Sequence, residues 1–169
     1  MFTFQLFRPY DEVVTRWLEP DELAAWRAYI EGSELLQGRL ERELQSECGL
    51  SHAEYEVLVR LSEVEDNAIR MTALAEQVVS SKSRLSHLIG RMERAGLVRR
   101  ESCPTDRRGQ LAVLTEAGRQ RLLDAAPVHV RGVREHLVDL LTPEQLQRVG
   151  EAFRNVATHL HGRRAERLD

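Results

Sequence analysis

The sequence predicts a mainly α-helical fold carrying a small two- or three-stranded β wing, and three observations predict it. Apolar residues recur at spacings of three and four through several long stretches, the period of a helix with one buried face. Helix starts are marked by residues that suit a first turn: Pro20 with Asp21 and Glu22, Ser51 with Glu54, Thr115, and Thr142 with Pro143 and Gln145. Between Leu97 and Leu114 the helical period gives way to two short strand candidates flanking turn residues.

The elements follow in order. A long helix opens at Pro20, carries Leu23, Trp26, Ile30, Leu36, Leu40 and Leu44, and stops at Cys48-Gly49. The capping box Ser51–Glu54 opens a second helix with Tyr55, Leu58, Val59 and Leu61 on its apolar side. Ile69 to Met71 suits a very short strand. Thr72 is placed to cap a third helix, Ala73 to Val78, and a tight turn at Val79-Ser80 leads to a fourth over 81–95, which Gly96 ends. Leu97–Glu101 and Gln110–Leu114 are the hairpin strands, joined by 102–109 with Pro104, Asp106 and Gly109. Thr115 caps the next helix, in which Pro127 predicts a kink or split. A final helix follows Thr142, with Leu146, Val149, Phe153, Val156 and Leu160 on one stripe.

Two adjacent short helices followed by a basic hairpin make a winged helix-turn-helix arrangement. The expected organisation is an N-terminal arm (1–19), a dimerisation helix (20–50) that joins C-terminal dimerisation helices (116–161), a winged helix-turn-helix domain (51–115) and a frayed tail (162–169). The last apolar stripe lies outside that compact domain. It is best buried against a second copy of the chain.

Composition excludes several classes. Of 169 residues, 42% are hydrophobic, enough for a core, and 30% are charged. No apolar run approaches the roughly 20 residues of a membrane span. Met1 to Phe7 is apolar but lacks a basic leader, so a cytoplasmic location without a membrane partner is expected. Cys48 and Cys103 form no C-x-x-C pair, and the six histidines have no metal-ligand spacing, so neither metal nor cofactor is expected. Motifs of the G-x-S-x-G, P-loop and H-E-x-x-H kinds are absent, and no catalytic residue is assigned.

Charge distribution points to a polyanion. Between Ser81 and Gln110 stand eight Lys or Arg against three Asp or Glu, a local +5 in a chain of net −3. In the fourth helix, Leu85, Leu88, Ile89 and Met92 form a buried stripe and leave Ser83, Arg84, Ser86, His87 and Arg91 largely off it. Small hydroxyls permit close approach to a duplex, and Arg84 can fork onto a guanine edge. Ser81 and Lys82, at the helix start, can hold a phosphate. Arg107 and Arg108 at the hairpin tip suit the narrow minor groove, with Asp106 holding an arginine in place within the wing.

The stretch Met71–Arg119 resembles the MarR family of bacterial transcription regulators. The matching residues are Leu74-Ala75-Glu76, Ser81-Lys82-Ser83, Leu88, Arg91-Met92-Glu93, Gly96-Leu97-Val98-x-Arg100, Asp106-x-Arg108, Val113-Leu114-Thr115 and Gly118. The resemblance implies a homodimer built from the N- and C-terminal helices. It implies binding to double-stranded DNA at a pseudo-palindromic operator, repression by promoter occlusion, and Arg108 as the minor-groove arginine. It also implies a small aromatic or anionic effector, for which Trp26, Arg27, Tyr29 and Tyr55 are the candidate pocket. Arg84, His87, Gly109 and Gln110 depart from the usual pattern. Two alternatives stand beside this reading: a helical protein-interaction module without DNA binding, and an oxidation-sensing regulator using Cys103 or Cys48.

Overall fold

A computed structural model describes residues 15–78, 81–104 and 106–165, without the side chains of Arg107, Arg108 and 161–165. Most of the expected N-terminal arm and the last four residues of the expected tail lie outside the described residues. The chain divides into two compact units at Glu34/Leu35, a boundary that falls within the first helix.

Six α-helices and three strands are described. Helix α1 spans Pro20–Cys48 and α2 His52–Ser62, with strand β1 at Ala68–Arg70. Helices α3 (Met71–Gln77) and α4 (Lys82–Arg94) precede β2 (Val98–Cys103) and β3 (Asp106–Leu114). Helix α5 runs Glu116–His136, a 3-10 turn covers Val138–Leu140, and α6 runs Pro143–Ala165. The strands form one antiparallel sheet in the order β1-β3-β2.

Local chemistry explains the boundaries. The Ser51–Glu54 capping box closes in both directions: the Glu54 backbone N–H donates to Ser51 Oγ, and the Ser51 N–H donates to Glu54 Oε2. The same exchange links Thr142 and Gln145. Gly49 and Gly96 take positive φ, of 62° and 74°, just past the ends of α1 and α4, a conformation glycine adopts without steric cost.

Four expectations are corrected. Thr72 lies inside α3, which starts at Met71 behind Arg70, and Arg70 makes no side-chain cap bond. The hairpin strands are longer than the turn residues suggested, because cross-strand pairing continues to Cys103↔Asp106. Pro127 does not split α5, which runs through it from Glu116 to His136; the proline is exposed, so the carbonyl that loses its N–H partner can turn to water. The last helix continues to Ala165, beyond the expected start of fraying.

In the unit from Leu35 onward, the core gathers Leu44 with Leu58, Leu61, Leu74, Leu85, Ile89, Met92 and Val98, all under 2% exposed. One buried face of each of α2, α3 and α4 therefore packs with the sheet, and this fixes how α4 presents its opposite face. Helix α5 is tied to α1 by polar contacts: Glu43 Oε1 lies 2.9 Å from His136 Nε2, and Arg131 pairs with Glu47 at 2.5 Å. Arg119 Nη2 donates to Asn67 Oδ1 at 2.6 Å, joining α5 to the loop before β1.

Candidate nucleic-acid interface

Ser81 closes the start of α4. Its Oγ accepts from the Arg84 backbone N–H at 3.3 Å and lies 3.2 Å from Ser83 Oγ. The expected stripe of Leu85, Leu88, Ile89 and Met92 is buried, while Lys82, Ser83, Arg84, Ser86, His87 and Arg91 are exposed. No acidic residue occupies the first turn; Lys82 and Arg84 stand there instead. Cations at a helix N-terminus oppose the dipole, by about 0.3–1 kcal/mol each. An arriving phosphate reverses that sign, because it meets free N–H groups and both cations together. Among the described residues nothing pairs with the side chains of Lys82, Arg84 or His87.

Two of the predicted contacts also serve the protein. Arg91 reaches back to the α2 capping carboxylate, with Nη2 3.8 Å from Glu54 Oε1. Ser86 accepts from Arg100 of β2, through its backbone oxygen at 2.8 Å and its Oγ at 3.5 Å. Both side chains stay exposed, but neither is devoted to an outside ligand.

The wing differs from its expected form. Strand β2 runs to Cys103 and β3 starts at Asp106, so Arg107 and Arg108 belong to β3 rather than to the turn. The register jumps from Ser102↔Gln110 to Cys103↔Asp106, so 107–109 have no partner in β2. Residues 107–109 therefore form a bulge beside the tip, a feature that re-aims side chains. The side chains of Arg107 and Arg108 lie outside the described residues. Gly109 permits the bulge to close, since a Cβ there would stand 3.0 Å from Asp106 Oδ2 and 3.1 Å from Cys103 Cβ. Asp106 Oδ2 lies 3.6 Å from Arg70 Nη1, so an arginine that Asp106 faces comes from β1, outside the hairpin. A cleft of about 320 Å³ separates the start of α4 from the wing, lined among others by Arg70, Lys82, Ser86, Arg100 and Asp106.

Cys103, one of the two candidate oxidation-sensing thiols, is 7% exposed and packs under the wing bulge. Burial removes it from direct contact with a solvent-borne oxidant. Cys48 is half-buried at the end of α1, where its carbonyl accepts from Arg121 Nη1 at 3.1 Å.

Of the effector candidates, Trp26 and Tyr29 are exposed and adjacent, with ring centroids 5.6 Å apart, and Arg27 is exposed beside them in the chain. Tyr55 instead belongs to the core, its ring 4.6 Å from that of His129. Burial raises the Tyr55 pKa above the usual phenol value. Burial, and then the nearby His52, lower that of His129.

Sequence reasoning missed the roles of Arg70 and Arg100. Arg100 entered as one cation in a basic stretch and as part of the MarR-like pattern, with no contact assigned to it. The partners of both lie in other elements, which no local pattern reveals.

Residues 49–109, from the end of α1 into the wing bulge, match the MarR family. The fold superposes on AbsC, a MarR family transcriptional regulator from Streptomyces coelicolor, with a TM-score of 0.83. The two are 51% identical, over 88% of this chain and 99% of AbsC. This chain belongs to the MarR family. Sco3205, a second MarR regulator from the same organism, was solved in complex with DNA; it is 46% identical over 86% of this chain and 92% of its own, at TM-score 0.83. The transcriptional regulator HosA of Escherichia coli is 39% identical over 77 residues. The chain spans about half the length of the curated relatives it matches, between 44% and 57% for HosA sequences. The winged helix-turn-helix architecture of the MarR family is therefore established here.

Proposed function

We propose that this MarR-family regulator is a homodimer that binds double-stranded DNA sequence-specifically. It represses by occupying a pseudo-palindromic operator and is released by a small aromatic or anionic ligand. The observation that carries the reading is the exposed Lys82, Ser83, Arg84 and His87 surface at the start of α4, a helix with no acidic residue in its first turn. The DNA complex of Sco3205 supports it, since that chain is 46% identical.

In this reading α4 enters the major groove. Arg84 donates two N–H groups to guanine O6 and N7, while Ser83, Ser86 and His87 meet base edges or phosphates. Ser81 and Lys82 hold a phosphate at the helix start, with Arg91 behind them. The arginines of the wing bulge, Arg107 and Arg108, enter the flanking minor groove. Asp106 steadies the wing.

The second copy is argued from exposed apolar surface. Val149, Phe153, Val156 and Leu160 on α6 are 38%, 45%, 51% and 59% exposed, at helical spacing. Water contact at such a stripe costs about 25 cal/mol per Å² of apolar area, and a symmetric partner removes it. Two-fold symmetry then sets two α4 helices about 34 Å apart, one turn of the duplex. Trp26, Arg27 and Tyr29 are the side chains we assign to the effector; Tyr55 is left out of that assignment because it belongs to the core.

Selection of bound duplexes from a random pool, followed by gel shifts, tests the reading. Arg84→Ala and Arg108→Ala should each weaken operator binding by about 1–3 kcal/mol. Parent-like affinity in both variants would remove the assignment of these residues.

A further inference from the structure

The wing is clamped to α4 by one arginine. Arg100 sits in β2, an edge strand whose outer side turns toward α4. Its backbone N–H donates to Glu93 Oε1 at 3.1 Å, and its Nε lies 3.9 Å from Glu93 Oε2. Its Nη2 donates to the Ser86 carbonyl at 2.8 Å. Ser86 and Glu93 are about two helical turns apart, so the side chain lies along α4 rather than touching it at a point. Gly90 falls between them, and even a Cβ there would come 3.9 Å from Arg100 Nη2. A larger side chain at that position would contest the place of the guanidinium.

We propose that Arg100 is a positioning residue that sets the distance and angle between α4 and the wing, and so lets both engage one duplex. This rests on the DNA-binding reading above. A duplex offers its major and minor grooves at a fixed spacing, so two protein elements that read both must be held at a matching spacing. Cys103, at the end of β2, lies about 10 Å along the strand from Arg100. A small rotation of the hairpin at the clamp therefore displaces the bulge of 107–109 by ångströms. Arg100 itself faces Glu93 and Ser86, and its side chain is only 28% exposed. Its effect on DNA passes through the wing.

The test uses the full chain, its Arg100→Met variant and the conservative Arg100→Lys, with two readouts. The first is amide hydrogen exchange of the free protein. Arg100→Met should speed exchange across 98–114 while leaving α2 and α3 at the parent rate, and Arg100→Lys should restore part of the protection. Unchanged exchange in the wing overturns the clamp, whether or not DNA is bound. The second is footprinting on a selected duplex. The variant should lose minor-groove protection on the operator flanks, keep major-groove protection of guanines, and bind about 10-fold more weakly. An intact footprint with a salt slope reduced by about one identifies Arg100 as a direct phosphate contact and overturns the positioning role. A parent that ignores every duplex refutes the DNA reading instead, and the exchange experiment still decides the clamp.

Discussion

Adding one methyl group at Gly118 should unfasten the junction between the winged domain and α5. Gly118 is buried at the start of that helix. An ideal Cβ there would overlap the Leu97 carbonyl oxygen and stand 2.8 Å from Leu114 Cδ1 and 3.0 Å from the Leu97 carbonyl carbon. That carbonyl cannot retreat freely, because it accepts from the Thr115 N–H at 3.2 Å and from Thr115 Oγ1 at 2.9 Å. Thr115 Oγ1 in turn accepts from the Gly118 N–H at 3.0 Å. Overpacking costs about 1–3 kcal/mol and each hydrogen bond given up about 1 kcal/mol. The helical preference for alanine returns about 1 kcal/mol. Gly118→Ala should therefore destabilise by about 2–4 kcal/mol, a fall in Tm of about 4–16 °C for a chain of this size. Gly32, inside α1, is the control: a Cβ there meets nothing within 4 Å, so Gly32→Ala should stabilise by about 0.5–1 kcal/mol. Thermal unfolding followed by circular dichroism reads both. A Gly118→Ala protein that melts at or above the parent temperature would refute the packing argument.

Other outcomes follow from the same contacts. Leu85→Ala, at a side chain with no exposure, should cost about 2–5 kcal/mol in urea unfolding and lower DNA affinity only as far as the fold is lost. Acidification should weaken the fold through His129. Its folded pKa lies below the ordinary 6.5, first through burial and then through His52, so the unfolded chain takes up the proton more readily. The stability it contributes is complete above pH 6.5 and is lost as pH falls from there through the folded value. His129→Gln should lose less stability than the parent between pH 7.5 and 5.5, and an equal loss in both would reject this role. At operator DNA, the log of the binding constant should fall linearly with the log of salt concentration, and Arg84→Ala should bind more weakly at every salt.

The sequence made much of the fold legible, because the informative signals were local. Ser51 with Glu54, Thr142 with Gln145, Gly49 and Gly96 each act within one turn, and each marked its boundary correctly. The buried stripe of α4 followed from period alone. What stayed hidden depends on contacts between distant residues. Arg70 meets Asp106 and Arg100 meets Ser86 only after the sheet closes. The bulge at 107–109 needs the register of two strands, and proline, aspartate and glycine nearby suggested a loop instead. The burial of Cys103 was not legible either, because it depends on β3 passing close over it at Gly109. Tyr55 read as a pocket aromatic for want of its partner His129, which lies on α5.

Sedimentation velocity of the full chain with a selected duplex, at low ionic strength, tests the central claim most directly. Two chains on each duplex, displaced by added salt, is the result predicted from the cationic start of α4 and the apolar stripe of α6. A single chain per duplex, or free DNA at every protein concentration, would contradict it.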